Sequence, residues 1–217
     1  DEGVVPAGPF QLRYRIEGRG RPALVIGSAV YYPRVFSRTL REHLQLVFLD
    51  HRGFAASPGP VDTAEFALDK LIDDVERARR QLALGPVVVV GHSGHGLLAL
   101  EYAKRHPASV SGVVMIGIGP DLSPTSTEAA ERSWNESVSP ERKAALGESL
   151  RRLPDTDLAK LPPAEQFVRG YVRNGPRIWF DPRFDASALF AGVEMNMDMY
   201  RHVWGQVFRD IDITRDL

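Results

Sequence analysis

The stretch VVVVGHSGHG, residues 87–96, decides the fold. Its four valines form an uninterrupted apolar run, which is typical of a strand that is buried on both faces of a sheet. The residues that follow, LLALEYAKRHP, have the pattern of a helix that ends at Pro107. Ser93 stands at this abrupt change, two residues after Gly91. The pattern predicts a sharp strand–turn–helix junction that pushes the hydroxyl of Ser93 outward.

The first 120 residues alternate between strand patterns and helix patterns. The predicted strands are short and mostly apolar, and they cover residues 10–18, 22–27, 44–50, 87–90 and 112–117. The predicted helices lie between strands and cover residues 33–43, 68–85 and 97–107. This alternation implies the α/β class, with a mostly parallel, doubly wound sheet and helices on both of its faces. Residues 1–120 are therefore predicted to form the core of the fold.

The character of the sequence changes after this core. Residues 120–163 contain six prolines and no strand-like run. The helices predicted in the second half of the chain begin at Pro140, Pro163 and Asn196. An insertion of about 85 residues is too long for a plain connection between two strands. Residues 121–205 are therefore predicted to form a helical lid, from which residues 206–217 return toward the core.

Charge and composition exclude several classes of function. The 27 Lys and Arg residues and 28 Asp and Glu residues give a formal net charge of -1, which argues against a nucleic acid or an anionic membrane as partner. The absence of cysteine excludes a disulfide framework, a thiolate metal site and a cysteine nucleophile. No apolar run approaches the roughly 18 residues of a membrane span. We therefore expect a soluble, cytoplasmic protein.

The histidines and acidic residues near the junction predict neither a metal site nor a glycosidase. His92 and His95 flank the turn and are expected to diverge, so no metal ion and no cofactor is predicted. His51 is expected either to line the site or to lie on the surface. Asp73 and Asp74 are expected on a solvated helix face, which disfavours a hydrolase with two catalytic carboxylates.

The place of Ser93 has two interpretations. In a doubly wound sheet, ligands bind at the carboxyl ends of the strands, and the N-terminus of the following helix favours a developing oxyanion. Ser93 is then a nucleophile. In the second interpretation Ser93 caps the helix, and the glycines only let the helix pack on the strand. Three glycines within six residues favour the nucleophile, because a helix cap does not need them.

Three motifs within residues 10–119 resemble those of the α/β-hydrolase family. GHSGHG is similar to the family's G-x-S-x-G nucleophile elbow, with His95 in place of the second glycine. DHRGFAAS, residues 50–57, is similar to the family's D-x-R-G-x-G-x-S loop, with Ala55 in place of a glycine. The residues that match this loop are Asp50, Arg52, Gly53 and Ser57. LVIGSAVYYP, residues 24–33, occupies the place of the oxyanion loop, with GS in place of the usual HG.

The resemblance implies an α/β-hydrolase fold in which the lid is inserted after the sixth strand. The lid sequence is loosely similar to the caps of proline-iminopeptidase-like and esterase-like members. The implied activity is that of a serine hydrolase, which cleaves a small or medium ester, amide or lactone through an acyl-enzyme on Ser93. The implied oxyanion-hole donors are the backbone N–H groups of Gly94 and Ala29. The residues further expected to contact the small-molecule substrate are Tyr31, Trp179 and Trp204.

The base that accepts the proton of Ser93 is not evident in the sequence. In the family the catalytic acid and histidine follow the lid, but no strand-like run follows residues 112–117 here. His202 and Asp121 are the candidates for base and acid, and neither has an evident partner. We expect the C-terminal strands to be missing and to come from a further segment or a second polypeptide. The 217 residues alone should then be poorly soluble and inactive, and the alternative function is a non-catalytic module that binds a small ligand in the same pocket.

Overall fold

One mixed β-sheet organises the first half of the chain. A computed structural model of the protein describes residues 1–213, except residues 57, 58, 60 and 120. The strands are β1 (Glu2–Ala7), β2 (Phe10–Gly18), β3 (Arg21–Gly27), β4 (Leu44–Asp50), β5 (Val87–His92) and β6 (Val110–Ile116). In the described residues they form a six-stranded sheet of order β1-β2-β4-β3-β5-β6. Strands β4, β3, β5 and β6 are parallel, and β2 pairs antiparallel with β1 and β4, which confirms the predicted fold class.

The first strand was not evident in the sequence. β1 has the sequence EGVVPA and pairs with β2 at one edge of the sheet. Proline is tolerated at a sheet edge, where its missing N–H does not interrupt a ladder. A short run that contains Pro6 is a weak indication of a strand. The residues of β1 are extended because they pair with β2, and the local pattern does not show this pairing.

Four helices accompany the strands in this part of the chain. They are α1 (Tyr32–Val35), α2 (Leu40–His43), α3 (Leu68–Gln81) and α4 (His95–Arg105). Helices α3 and α4 confirm the predictions over 68–85 and 97–107. The crossover predicted over 33–43 consists of two single turns, because Phe36 takes an extended conformation with a ψ of 136° and ends α1.

Apolar side chains cover both faces of the sheet. Successive residues of a strand point to opposite faces, and Leu24 and Val25 of β3 accordingly belong to two different buried clusters. The cluster of Leu24 includes Leu71 of α3 and Leu97 of α4. The cluster of Val25 includes Tyr32 of α1. The central strands are therefore buried on both sides, as their apolar runs predict.

A buried ion pair attaches the loop after β4 to helix α3. Arg52 donates two hydrogen bonds to Asp74, from Nε to Oδ2 at 2.6 Å and from Nη2 to Oδ1 at 2.9 Å. Its Nη1 also donates to the carboxylate of Glu65 at 2.6 Å. Asp74 is buried, so the prediction that it lies on a solvated face is wrong. The helical pattern could not show this, because the arginine that compensates its charge lies 22 residues earlier in the chain.

The described chain divides into two compact units. The first contains Asp1–Leu122 and the described residues from Val193 onward, including α10 (Met197–His202), and the second is Ser123–Gly192. The helices of the second unit are α5 (Pro124–Ser137), α6 (Pro140–Arg152), α7 (Asp155–Leu158), α8 (Pro163–Arg173) and α9 (Gly175–Ile178). None of the described helices is long and apolar enough to cross a membrane.

The predicted lid, residues 121–205, extends beyond the second unit. Met199 and Val203 are fully buried in the main hydrophobic cluster of the first unit. The apolar side chains of α10 therefore place the segment after Gly192 with the sheet rather than with the other helices. Residues 214–217 of the predicted return segment lie outside the described residues.

Strand β6 is the edge of the sheet opposite β1. Val113 and Met115 pack against the main cluster, whereas Val114 and Ile116 are 43% and 41% exposed. Within the described residues, β6 therefore has an unpaired edge and one face whose apolar side chains are partly exposed. An exposed apolar edge strand can pair with another chain and promotes self-association.

We expect Val114→Lys to reduce self-association of the 217-residue chain, because a charge on the open strand disfavours pairing with another edge. The free energy of unfolding should change by no more than about 0.5 kcal/mol, as is usual at exposed positions. Light scattering and urea unfolding measure the two effects. Leu150→Lys, at an exposed apolar position on α6, is the matched control and should leave self-association unchanged. An equal effect of both substitutions would contradict a specific role of the β6 edge.

Candidate functional site

The chain turns from strand β5 into helix α4 within two residues. β5 ends at His92 and α4 begins at His95. Between them Ser93 has a φ of +55°, which is uncommon for a residue other than glycine. Its N–H donates to the carbonyl of Ile116 at 2.9 Å, and its carbonyl accepts from the N–H of Gly96 at 2.8 Å. The backbone thus holds a half-buried Ser93 in a strained conformation at the carboxyl end of the parallel strands.

Glycines on both sides of Ser93 allow this turn. A Cβ atom at Gly91 would overlap the carbonyl oxygen of His95. A Cβ atom at Gly96 would lie 2.9 Å from Cγ2 of Ile118. The close approach of α4 therefore requires glycine at 91 and 96, and His95 is tolerated at the position where the family pattern has glycine.

Two buried histidines and a tryptophan pack together beside the turn. His51 and His95 are 4% exposed each, and their ring centroids are 4.9 Å apart. Trp204 stacks on His51 at 5.7 Å and contacts His95 edge-on at 5.1 Å. Of the two places predicted for His51, the surface is therefore excluded. The cluster was not predicted, because its members come from three distant parts of the chain.

The hydrogen bonds assign the tautomers of both rings. Nδ1 of His51 accepts from the N–H of Gly53 at 2.7 Å, so the proton of His51 is on Nε2. Nδ1 of His95 lies 3.2 Å from the carbonyl of His92 and must donate to it, so its Nε2 has a free lone pair. Neither Nε2 atom has a hydrogen-bond partner among the described residues. The cluster thus holds one buried donor and one buried acceptor, each without a partner.

His92 and His95 converge instead of diverging as predicted. The hydroxyl of Tyr32 lies 3.4 Å from Nδ1 of His92 and 3.3 Å from Nδ1 of His95. Because Nδ1 of His95 carries a proton, the hydroxyl can accept from it and donate to His92. Within the described residues, no group of three or more potential metal-ligating side chains is found.

Burial keeps the three histidines neutral at neutral pH. It lowers the pKa of His95 to about 3 and the pKa of His51 well below its ordinary value. Burial also lowers the pKa of His92. A protonated imidazole in this cluster would have lost its hydration without gaining a carboxylate partner. The surroundings of the turn are therefore apolar and uncharged on this side.

The N–H of Ala29 has a partner other than the predicted oxyanion. It donates to Oδ1 of the fully buried Asp50 at 2.6 Å. The next two N–H groups, those of Val30 and Tyr31, lie 3.3 and 3.1 Å from Oγ of Ser28 and donate to it. The loop after β3 is thus held by its own hydrogen bonds. The Ala29 N–H therefore donates to a carboxylate rather than pointing to a free oxyanion site, because Asp50 lies at the end of the neighbouring strand β4.

Arg13 provides the countercharge of Asp50. Its Nε donates to Oδ2 of Asp50 at 2.7 Å, and its Nη2 donates to the carbonyl of Phe54 at 3.0 Å. Burial nevertheless raises the pKa of Asp50 to about 6, against the hydrogen bonds from Arg13 and Ala29. Asp50 is the first residue of the DHRG motif, and its link to Arg13 could not be predicted from the motif alone.

Two aromatic side chains cover the residue after Ser93. A Cβ atom at Gly94 would lie 2.6 Å from Cδ2 of Phe208 and 3.0 Å from Nε1 of Trp204. Phe208 and Trp204 also contact each other, with ring centroids 4.9 Å apart. The segment that follows α10 therefore forms an apolar wall directly beside the turn.

The remaining predicted site residues fall in different places. Tyr31 is half-buried and packs edge-on against Tyr32 at 5.2 Å. Trp179 lies in the second unit, where it contacts Phe184 at 5.2 Å and its Nε1 is buried without a partner among the described residues. Ser57 of the DHRGFAAS motif lies outside the described residues.

Among the described residues, no side chain forms a hydrogen bond with the Ser93 hydroxyl, whereas a catalytic histidine would have to do so. His202, the candidate base on α10, packs against Phe66 with ring centroids 5.9 Å apart. The structure thus brings Ser93, Gly94 and Trp204 together. Within the described part of the chain, no imidazole forms a hydrogen bond with the hydroxyl of Ser93.

Several known proteins are similar to this chain in sequence. Residues 20–149 match the family described as the alpha/beta hydrolase fold. The AB hydrolase superfamily protein YclE of Bacillus subtilis is 40% identical over 215 residues, which are 99% of this chain and 76% of YclE. A proline iminopeptidase of Heyndrickxia coagulans is 29% identical over 101 residues, which cover 45% of this chain and 35% of that enzyme.

A solved structure shows the same fold at low sequence identity. A proline iminopeptidase-related protein from Thermus thermophilus superposes with a TM-score of 0.61 at 20% identity, over 99% of this chain and 74% of that chain. The match of the family pattern over more than half of the sequence and the similarity to YclE lead to the same conclusion. The chain belongs to the α/β hydrolase fold family.

Proposed function

We propose that the protein is a serine hydrolase that cleaves a small or medium ester, amide or lactone through an acyl-enzyme on Ser93. The observation that carries this proposal is the positive φ of Ser93, +55°, between a parallel strand and a helix N-terminus. Such strain is maintained where it positions a reactive group. A serine that only capped α4 would not need this conformation.

The N-terminus of α4 is suited to stabilise the oxyanion of a tetrahedral intermediate. The first N–H groups of a helix have no acceptor within the helix, and Gly94 is the N-cap residue of α4. We assign the first oxyanion donor to its N–H group, as the resemblance to the family implies. The second donor would come from the loop after β3, where Ala29 can contribute only after it leaves Asp50. Asp50 and Arg13 then set the geometry of that loop.

The base that activates Ser93 would come from polypeptide that pairs with the open edge of β6. Ser93 is tied to this strand by its hydrogen bond to Ile116, so a neighbouring strand would approach the serine. Two exposed apolar side chains on β6 favour such pairing. Either a further segment or a second polypeptide fits this role. His95 is unsuitable as the base, because burial lowers its pKa to about 3.

An apolar acyl or leaving group fits the surroundings of Gly94. Trp204 and Phe208 form one wall, and the neutral histidine cluster lies behind Trp204. Charged substrates would lose hydration there without a countercharge in the cluster.

The first test replaces the nucleophile. Ser93→Ala in the intact natural protein should lower turnover of 4-nitrophenyl esters at least ~10³-fold, because the acyl-enzyme cannot form. A fluorophosphonate probe should label the wild type and not the variant. Ser133→Ala removes an exposed serine hydroxyl of α5 and should keep both labelling and turnover. A folded, intact protein that is never labelled would favour the non-catalytic, ligand-binding alternative.

The second test concerns the size of the substrate. Trp204→Ala opens the wall beside Gly94, so the ratio of KM values for acetyl and octanoyl 4-nitrophenyl esters should shift about five- to tenfold toward the longer ester. Trp179→Ala should shift the same ratio if the second unit serves as the lid. Trp134→Ala, which removes a tryptophan that contacts Arg177, should leave the ratio unchanged. Uniform changes for all esters would count against a role of these tryptophans in substrate choice.

The third test measures the buried carboxyl group of Asp50. Its pKa is raised from 3.8 to about 6 in the folded protein, so the folded chain keeps this proton where the unfolded chain has lost it. The resulting stabilisation is present below about pH 4 and is lost as the pH rises through about 6.

Asp50→Asn lacks this titration. The free energy of unfolding of the variant, relative to wild type, should therefore rise by up to about 3 kcal/mol between pH 4 and pH 7. Urea unfolding at several pH values measures this difference. Asp198→Asn, at a carboxylate that is 92% exposed, is the control and should show a flat difference. A flat difference for Asp50→Asn as well would show that its carboxyl group is not held protonated.

A further inference from the structure

The second unit contains a cavity of its own. It has a volume of about 480 Å³ and lies between α6, the end of α8 and residues 182–187. All of its lining residues belong to Ser123–Gly192. Cavities of roughly 300–1,000 Å³ are the size of sites for small molecules. The cavity is therefore large enough for a small organic ligand and requires no residue of the sheet unit.

Four arginines line this cavity. Arg152 comes from α6, Arg169 and Arg173 come from α8, and Arg183 comes from the loop that follows α9. The side chain of Arg152 has no carboxylate within 4 Å among the described residues. Arg173 has unused donors, because its Nε is buried without a hydrogen-bond partner in the described part of the chain. Three separate segments thus bring guanidinium groups to one cavity.

The carboxylates near these arginines neutralise them only in part. Asp155 lies 2.7 Å from Arg173 but is 90% exposed. Glu165 lies 3.8 Å from Arg169, and Glu141 lies 4.0 Å from Arg183. The pairs of Arg169 and Arg183 are long and exposed, so water screens them, whereas Arg173 is only 11% exposed and its pair with Asp155 is short. None of these three carboxylates lines the cavity.

Two carboxylates also line the cavity. They belong to Glu148 and Asp185, and Asp185 also accepts the N–H of Ser187 at 2.9 Å. Four guanidinium groups and two carboxylates leave an excess of two positive charges in the lining. An anionic group gains from this excess when it lies among the guanidinium groups. The charge balance therefore favours an anionic ligand.

Apolar side chains complete the lining. Leu153, Val172 and Phe184 contribute to the walls between the arginines. Such surfaces favour a ligand whose body is apolar and whose charge is confined to one end. A carboxylate also matches the planar fork of an arginine, to which it can bind through two parallel hydrogen bonds.

We propose that this cavity binds a small organic monocarboxylate, whose carboxylate contacts Arg152 and the neighbouring arginines and whose apolar part rests against Leu153, Val172 and Phe184. The site lies wholly within the second unit. It is independent of the acylation of Ser93, and its test needs no catalytic activity.

The probe is 4-fluorobenzoate, and its binding to the full 217-residue chain is followed by fluorine NMR. The uncharged analogue 4-fluorobenzamide is titrated in parallel. We expect saturable binding of the benzoate and at least ~5-fold weaker binding of the benzamide, because only the carboxylate can form a charged pair with arginine. Arg152→Gln should weaken binding of the benzoate at least ~5-fold and leave binding of the benzamide unchanged.

The matched control is Arg151→Gln. Arg151 and Arg152 are neighbours on the same helix and both are exposed, but only Arg152 lines the cavity. The control should bind the benzoate like the wild type. Arg183→Gln is a second variant at an exposed position of the lining and should also weaken binding of the benzoate. The proposal is overturned if the benzoate does not bind, if the benzamide binds equally well, or if Arg151→Gln weakens binding as much as Arg152→Gln.

Discussion

The turn from β5 into α4 depends on one close approach between two stretches of backbone. Gly91 has no side chain, so the first turn of α4 can lie directly against the end of the strand, where a Cβ atom would overlap the carbonyl of His95. Ser93 must then take a positive φ, at a cost of order 1 kcal/mol or more. The hydrogen bond from its N–H to Ile116 helps to offset that cost and joins the turn to β6. The position of the serine and the start of α4 thus depend on glycines at 91 and 96.

The buried ionisable groups around this turn are either neutral or paired. His51 and His95 are neutral because burial lowers the pKa of each ring, and Trp204 packs on both. Asp50 is the fully buried carboxyl group at the same edge of the sheet, and it is held by Arg13. In such surroundings a few oriented N–H groups have a large effect on a developing negative charge. The same condition makes an unpaired histidine or carboxylate costly, which explains why each ionisable group here is either neutral or paired.

The second unit differs from the surroundings of Ser93 in the charge of its side chains. Its helices carry arginines around a cavity that is lined by polar and apolar side chains alike. Contacts inside the unit hold the segment after α8. Arg142 donates three hydrogen bonds to this segment, to the carbonyls of Pro176, Trp179 and Phe180. The anion site and the serine chemistry that we propose therefore rest on separate groups of residues. A variant in one group can be used to study that function without removing the other.

The sequence by itself determined the α/β class, the parallel strands, the junction at Ser93 and the long helices α3 and α4, because each produces a local and periodic pattern. Only the tertiary structure decided which groups meet. Asp74 is buried because Arg52 reaches it, and the N–H of Ala29 is bound because Asp50 ends the neighbouring strand. The segment around Trp204 packs with the sheet rather than with the preceding helices. The physical reason is that pairing, burial and the exclusion of water depend on residues far apart in the chain, and local periodicity carries no information about them.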